Sequence, residues 1–428
     1  MQGQALPGFR DFYPAEAALR NQIFGVWRAV ATRYGFEEYD GPPLEPLELY
    51  TDKSGDEIVG QLYEFEDKGG RRVALRPEMT PSLARMVAAR ASALKKPIRW
   101  FAIPQLFRYE RQQRGRLREH FQFNMDLIGE PGPLADAEIA AAAVDVMRGF
   151  GLGPEAVRLR LSDRRVVSAL LRHAGVPDAL LPAAYAAIDK VEREPRDVLA
   201  GRLVTAGLPA PVAEAVLAIG QVRGRAAVEA ALEPLGGSDV AEDLYTAADA
   251  LGHMGLGAYV DLDLSIVRGL AYYTGTVFEL FDAGRSLRAI CGGGRYDGLL
   301  RALGGVDLPA VGFGMGDVVL GELIRGTGGS VTEASPIDLF LVAVGSDDVP
   351  YVLALAHRLR DAGRRVEYAL KNQGLGKQLK LAAARNAPRA LIVGPDERAR
   401  GVAVLRDLRD GSETPVALEQ VEYALGNT

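Results

Sequence analysis

The segment IRWFAIPQLFRYERQQRGRLREHFQFNMDLIG (98–129) constrains this chain more than any other. Two apolar, alternating runs flank a basic turn that contains Gly115. Period-two alternation on both sides of a polar turn describes an antiparallel strand pair. A shorter copy of the pattern, LYEFEDKGGRRVALRPE, lies at 62–78. The first part of the chain therefore builds an antiparallel sheet rather than a run of strand–helix–strand units.

The remaining patterns fit around that sheet. Pro14 opens a helical stretch in which Leu19, Ile23, Val26, Trp27, Val30 and Tyr34 recur, and Gly35 ends it. FEEYD follows as a short strand and stops at Gly41-Pro42-Pro43. Alanine-rich helical sequence runs from Ala137 to about Gly252, and DKVEREPRDVL and EDLYTAADAL within it suggest an exposed insertion at about 165–245. Strand patterns return in YVDLDLSIVRGLAYYTGTVFELF and LRAICGGGRYDGLL, and a helix begins near Gly316. RGTGGSVTEASP, ended by Pro336, is a linker composition. Beyond it IDLFLVAVG, RRVEYAL and ALIVG alternate with helical stretches, as in a compact α/β module. The expected division is 1–325, a linker at 326–336, and 337–428.

At 428 residues, about three domains' worth of chain is present. No apolar run reaches the roughly 18 residues a membrane span needs. The start, MQGQALPGFRDFYPAE, lacks the basic flank and apolar stretch of a secretory leader. With Cys291 alone no internal disulfide forms, so a reducing cytoplasm is the expected setting. Four scattered histidines and that cysteine do not make a fixed metal site. The net charge of −6 argues against binding nucleic acid over the whole surface, but it hides local concentrations. Residues 337–428 hold 13 Lys and Arg against 12 Asp and Glu, and nine of those basic residues fall between Arg358 and Arg389. Such a run serves either as a solvated helix face or as a nucleic-acid contact.

The densest chemical signal is the tip of the long hairpin, where Arg108, Arg111, Arg114, Arg116 and Arg118 cluster. Planar guanidinium forks match phosphate oxygens, so the tip suits a polyphosphate or nucleic-acid ligand; the alternative is a hairpin decorated for solubility. Gly292-Gly293-Gly294 and Gly312-Phe313-Gly314 fit neither a dinucleotide fingerprint nor a phosphate loop of the Walker type.

FRYER, the basic loop and FQFNMDLIG together resemble motif 2 of the class II aminoacyl-tRNA synthetases, in the histidyl-tRNA synthetase version. Three further stretches agree in order. VALRPEMTPSLAR (73–85) resembles that family's amino-acid-binding strand, IVRGLAYYTGTVFE (266–279) its histidyl signature, and GGGRYDGL (292–299) the companion. The unit ending at Pro42 and Pro43 resembles motif 1, which builds the homodimer interface. The C-terminal module resembles the family's anticodon-binding domain. The resemblance implies an α+β catalytic core with an antiparallel sheet, a helical insertion, and a C-terminal α/β anticodon-binding domain. It also implies adenylation of histidine by ATP with magnesium, then transfer to the 3′ end of tRNA(His).

Residue by residue, the match implies that Arg108 and Arg268 are catalytic, holding the α-phosphate and the reacting carboxylate. Without the match, a salt bridge from Arg268 to Asp263 or Glu279 would be the simpler reading. Glu110 would read the adenine side and Arg116 a more distant part of the triphosphate. Glu78, Met79, Thr80 and Gln122 would hold the α-amino end of histidine. Asp126, where many bacterial members carry glutamate, would meet the imidazole with Tyr273 and its neighbour Tyr272. Arg111, Gln113 and Arg118 would be candidate contacts to the tRNA acceptor end. One departure stands out: class II motif 3 places an arginine on the helix after the Gly-rich strand, and the matching residue here is Val319. ATP would then be held by another cation, with Arg116 or Arg295 as candidates. The departure also keeps a second reading open, a catalytically silent paralogue that senses histidine as the regulatory subunit of an ATP phosphoribosyltransferase.

Overall fold

The computed structural model describes residues 3, 5–51, 59–110, 115–237, 239–267, 272–327 and 337–424. It divides into two compact units, Met1–Val331 and Thr332–Thr428. The first carries β1 (Glu37–Glu38), β2 (Leu44–Pro46), β3 (Tyr63–Glu66), β4 (Arg72–Leu75), β5 (Ile98–Ala102), β6 (Gln105–Phe107) and β7 (Glu119–Ile128). These are followed by β8 (Val157–Asp163), β9 (Val260–Leu262), β10 (Thr276–Asp282), β11 (Cys291–Arg295) and β12 (Ala310–Gly316).

The main sheet runs β1-β5-β7-β12-β11-β10-β8-β9, with β6 also paired to β7. Its six central strands are antiparallel, and only the outer pairs β1·β5 and β8·β9 are parallel. A three-stranded sheet, β2-β4-β3, stands beside it. Both expected hairpins are present: β3 pairs antiparallel with β4, and β5 with β7.

Alternation along the central strands separates two faces. Phe123, Met125 and Leu127 of β7, with Val311, Phe313 and Met315 of β12, are buried against the helix Pro133–Gly149. That helix is alanine-rich and buried along most of its length, so its thin side chains let it lie close on the sheet. Helix Pro14–Arg33 adds Ile23, Trp27 and Val30 to the same core, and Trp27 stacks on Phe123 with ring centroids 5.6 Å apart. The opposite face presents Gln122, Asn124 and Asp126 beside glycines of β12, and this is where the site lies.

The alanine-rich stretch is less uniform than its composition suggests. The helix Pro133–Gly149 packs into the core against the main sheet, and strand β8 falls inside the stretch. Val157, Leu159 and Leu161 alternate inward along β8, a short period-two signal between two helical stretches. Helices Leu181–Ile188, Arg196–Thr205, Ala210–Ile219, Arg225–Leu232 and Glu242–His253 follow, with Leu199, Leu203, Val216, Leu217, Val228, Leu232 and Leu244 buried.

The second unit holds β13 (Leu339–Ala343), β14 (Val366–Tyr368), β15 (Arg389–Val393), β16 (Val402–Asp407) and β17 (Glu413–Ala417) in the order β14-β13-β15-β16-β17. The three expected strands are parallel neighbours, and β16 and β17 extend them as an antiparallel hairpin. Among the described residues no helix is long and apolar enough to cross a membrane.

Candidate active site

Strand β7 organises the site. Successive side chains on one face of a strand repeat every two residues, so His120, Gln122, Asn124 and Asp126 share a face. From Gln122 to Asp126 this face extends by roughly 13 Å, about the reach of a ligand with two distinct ends. Its neighbour β12 contributes no side chain at the matching places. Gly312 pairs with Asp126, Gly314 with Asn124 and Gly316 with Gln122. A Cβ on Gly312 would lie 2.1 Å from Asp126 Oδ1, and one on Gly314 would lie 2.8 Å from the Gln122 amide. The glycines are therefore what leave room for these two polar side chains.

At the Asp126 end the surroundings are aromatic. Asp126 is 4% exposed and accepts a hydrogen bond from the Tyr296 hydroxyl. Burial pushes its carboxyl up to about 7, although the Tyr296 hydrogen bond pulls the other way. Tyr272 packs on Tyr273 and Tyr296, with ring centroids 5.0 and 6.0 Å apart. Tyr273 closes against Gly294, where a Cβ would meet its ring at 3.0 Å. Burial and then the nearby Asp126 raise the Tyr39 hydroxyl well above its ordinary value. Glu78 and Met79 are buried just before helix Thr80–Arg90, and Thr80 is its first residue. The Met79 side chain packs towards Gly41 and Arg76, as part of the core under that turn.

At the other end of β7 an open cleft of about 300 Å³ is lined by Arg108, Glu110, Arg116, His120, Gln122, Arg193, Arg288 and Val319, among others. Arg108 donates through Nε to the Pro77 carbonyl at 2.9 Å and lies 4.0 Å from Glu110. Arg116 Nε forms an ion pair with Glu110 Oε2 at 2.8 Å, but that oxygen has no well-aligned hydrogen bond and remains an acceptor. His120 is held neutral: burial, then Arg108 and Arg10, pull its imidazole down to about 3. Arg118 is engaged within the chain. Its guanidinium lies 4.0 Å over the Tyr109 ring, and its stem packs on Gly8.

The structure thus gathers Arg108, Glu110, Arg116 and Gln122 at one cleft, and Asp126, Tyr272 and Tyr273 at the neighbouring aromatic end. Arg268, Arg111 and Gln113 lie outside the described residues. Arg295, a sequence candidate for holding ATP, is used elsewhere. It is 3% exposed, pairs with Asp136 at 2.8 Å and donates to the carbonyls of Glu130 and Gly132. Val319 is 9% exposed and gives the cleft an apolar wall where a cation was expected. Sequence reading missed His120, Tyr296, Arg288 and Arg193. Tyr296 adjoins a recognised glycine run, and His120 shares the face of Gln122, so both carried a register signal. Arg193 and Arg288 carried none, because they reach the cleft from distant segments.

Among the described residues no group of three or more His, Cys, Asp or Glu could hold a metal ion. Among the described residues, the carboxylates facing the cleft and its extension are Glu110 and Glu322.

A family model described as histidyl-tRNA synthetase matches residues 8–316, and one described as anticodon binding domain matches 338–428. The chain is 48% identical to the histidine–tRNA ligase of Opitutus terrae over 423 residues, 98% of this chain and 97% of that protein. It is 40% identical to the chloroplastic/mitochondrial histidine–tRNA ligase of Arabidopsis thaliana, over 97% of this chain and 85% of that protein. The fold is that of a crystal structure of histidyl-tRNA synthetase from Nostoc sp. PCC 7120, with TM-score 0.84 and 24% identity over 99% of both chains.

Proposed function

The chain belongs to the histidyl-tRNA synthetase family, and from that premise we propose how its site carries out the reaction of a histidine–tRNA ligase. As an aminoacyl-tRNA synthetase it uses ATP, histidine and tRNA. The histidine carboxylate attacks the α-phosphorus of ATP, the bond to the β-phosphate oxygen breaks, and pyrophosphate leaves. A hydroxyl at the 3′ end of tRNA(His) then displaces AMP from the histidyl-adenylate.

One observation carries the assignment of ends: Gln122 and Asp126 share one face of β7, with Arg108 and Glu110 beyond Gln122 and the tyrosines around Asp126. A histidine with its imidazole at Asp126 and Tyr273, beside Tyr272, presents its α-amino and carboxylate groups towards Gln122, Thr80, Glu78 and the Met79 backbone. Its carboxylate then points to the arginine cleft. Ionised Asp126 accepts the imidazole N–H. Arg108, together with Arg268, neutralises the carboxylate and α-phosphate as they approach, which is most of what catalysis of phosphoryl transfer requires. Glu110 accepts from the adenine amino group, and Arg116 reaches the triphosphate. Magnesium would arrive with ATP, held mainly by the phosphates and water, with Glu110 and Glu322 the carboxylates that line the cleft and its extension among the described residues. By the motif 2 resemblance, Arg111, Gln113 and Arg118 are the candidate contacts to the tRNA acceptor end. A cytoplasmic homodimer fits the motif 1 resemblance of the N-terminal segment.

The regulatory-subunit reading draws on Val319 alone. Against it stand the anticodon-binding module and the near-complete match to a ligase. The site assignment is tested by Asp126→Asn and Gln122→Ala in histidine-dependent ATP–pyrophosphate exchange. Each should raise KM for histidine by about tenfold or more, the worth of a charge-assisted hydrogen bond, with KM for ATP near wild type. Unchanged histidine KM in both variants would contradict the placement.

A further inference from the structure

We propose that Arg288 is the cation that holds the distal phosphates of ATP in this chain, taking over from the residue that Val319 replaces. The proposal rests on the ligase reading and adds a residue to it.

Three observations carry it. First, the position is right. Arg288 and Val319 both line the nucleotide cleft, and both line the adjoining cavity of about 330 Å³ that also receives Arg193 and Glu322. A Cβ placed on Gly115 would lie 3.4 Å from Val319 Cγ2 and 4.0 Å from Arg288 Cδ, so the two side chains flank one point at the end of the motif 2 loop. A guanidinium on the Arg288 stem therefore serves the region a longer residue at 319 would serve.

Second, the electrostatics favour an anion. Burial lowers the Arg288 guanidinium from its ordinary value, nearby Arg116 and Arg193 lower it further, and Glu110 acts the other way. Three cations, Arg116, Arg193 and Arg288, share the cleft and its extension with two carboxylates, Glu110 and Glu322, and a triphosphate adds negative charge where the guanidinium groups repel one another.

Third, the presentation is fixed. Arg288 stands on the loop between β10 and β11, where Asp282 accepts from the backbone N–H groups of Ser286 and Leu287 at 2.8 and 3.0 Å. Arg285 of the same loop pairs with Glu192, next to Arg193. Arg160 also pairs with Glu192, at 3.1 Å. Burial opposes ionisation of Glu192, but these arginines bring it down to about 2, so the link is charged at every working pH. It ties the Arg288 loop to the segment carrying Arg193, so both guanidinium groups reach the cleft together. In the reaction these cations would hold the β- and γ-phosphates and then the departing pyrophosphate, making no bond themselves.

The test uses the full-length protein in histidine-dependent ATP–pyrophosphate exchange. Arg288→Ala and Arg288→Gln should each raise KM for ATP and for pyrophosphate by about tenfold, as loss of a charge-assisted contact does. KM for histidine should stay within about twofold, and inhibition by AMP, which lacks both distal phosphates, should be unchanged. Adding Val319→Arg to Arg288→Ala should recover ATP affinity. Wild-type kinetics in both single variants would overturn the proposal and leave the ligase reading standing. So would parallel losses for ATP, histidine and AMP, which mark a collapsed loop. A wild-type protein with no exchange would remove the ligase reading, and this proposal with it.

Discussion

Asp126 shows what the site asks of single residues. Its carboxyl has a folded value of about 7 against an ordinary value of 3.8. The folded state therefore takes up a proton that the unfolded chain has lost, and stability falls as pH rises from about 4 to about 7, then levels off. Asp126→Asn cannot ionise, so its melting temperature should exceed that of the wild type at pH 8 and match it near pH 4. Calorimetric scans at the two values check this, and the gain should come with the histidine KM defect, as expected where a strained site group serves function. His120 works in the opposite direction. With a folded value near 3 it resists protonation, so stability falls as pH drops from about 6.5 towards 3. His120→Gln should flatten that part of the pH–stability curve in denaturant titrations. The residues legible beforehand were those whose ordered motifs carry their neighbours with them, such as Arg108, Glu110, Gln122 and Asp126. Tyr296 was half legible, because its ring turns to Asp126 only once β11 is in register with β12. Arg193 and Arg288 were illegible, since each reaches the cleft from a loop with no spacing relation to motif 2.

At the scale of elements, the Gly-rich strands have two faces with different tasks. Gly293 in β11 faces the core, where a Cβ would lie 2.5 Å from the Gly312 carbonyl and 2.6 Å from Phe313. Gly312 in β12 faces the site, where it would collide with Asp126. Gly293→Ala should cost about 1–3 kcal/mol of stability in urea unfolding, the usual penalty of overpacking. Gly312→Ala should show its larger effect in histidine KM, because the carboxylate it displaces is the one we propose for the imidazole. Equal kinetic and stability profiles for the two variants would contradict the assignment of faces. The hairpins were legible because alternation and turn composition agreed, as were the helix beginning at Pro14 and the three parallel strands of the second unit. Strand β8 was not, since it is seven residues long and lies between two helical stretches. Nor was the long helix Pro133–Gly149 recognised as the core's backing layer, since only packing distinguishes it from the helices that follow.

At the scale of the molecule, total charge hides a division of labour. Several arginines of the basic stretch turn out to be structural. Arg358 donates to the Leu418 carbonyl, Arg365 pairs with Asp338, and Arg385 pairs with Glu367 at 2.7 Å. Lys371, Lys377 and Lys380 remain exposed around the start of helix Leu375–Ala384. We propose these lysines as part of the tRNA-facing surface of the anticodon module. Lys377→Glu with Lys380→Glu should raise KM for tRNA in histidine charging several-fold and steepen with salt removal, leaving pyrophosphate exchange unchanged. Loss of exchange in that double variant would show that the module acts on the adenylation site instead. A cleft lacking an arginine at position 319 should still form histidyl-adenylate. The most direct test is ATP–pyrophosphate exchange by the wild-type protein across the twenty amino acids. Exchange should saturate with ATP and depend on histidine, with no exchange for the other nineteen. Histidine binding without any exchange would contradict this.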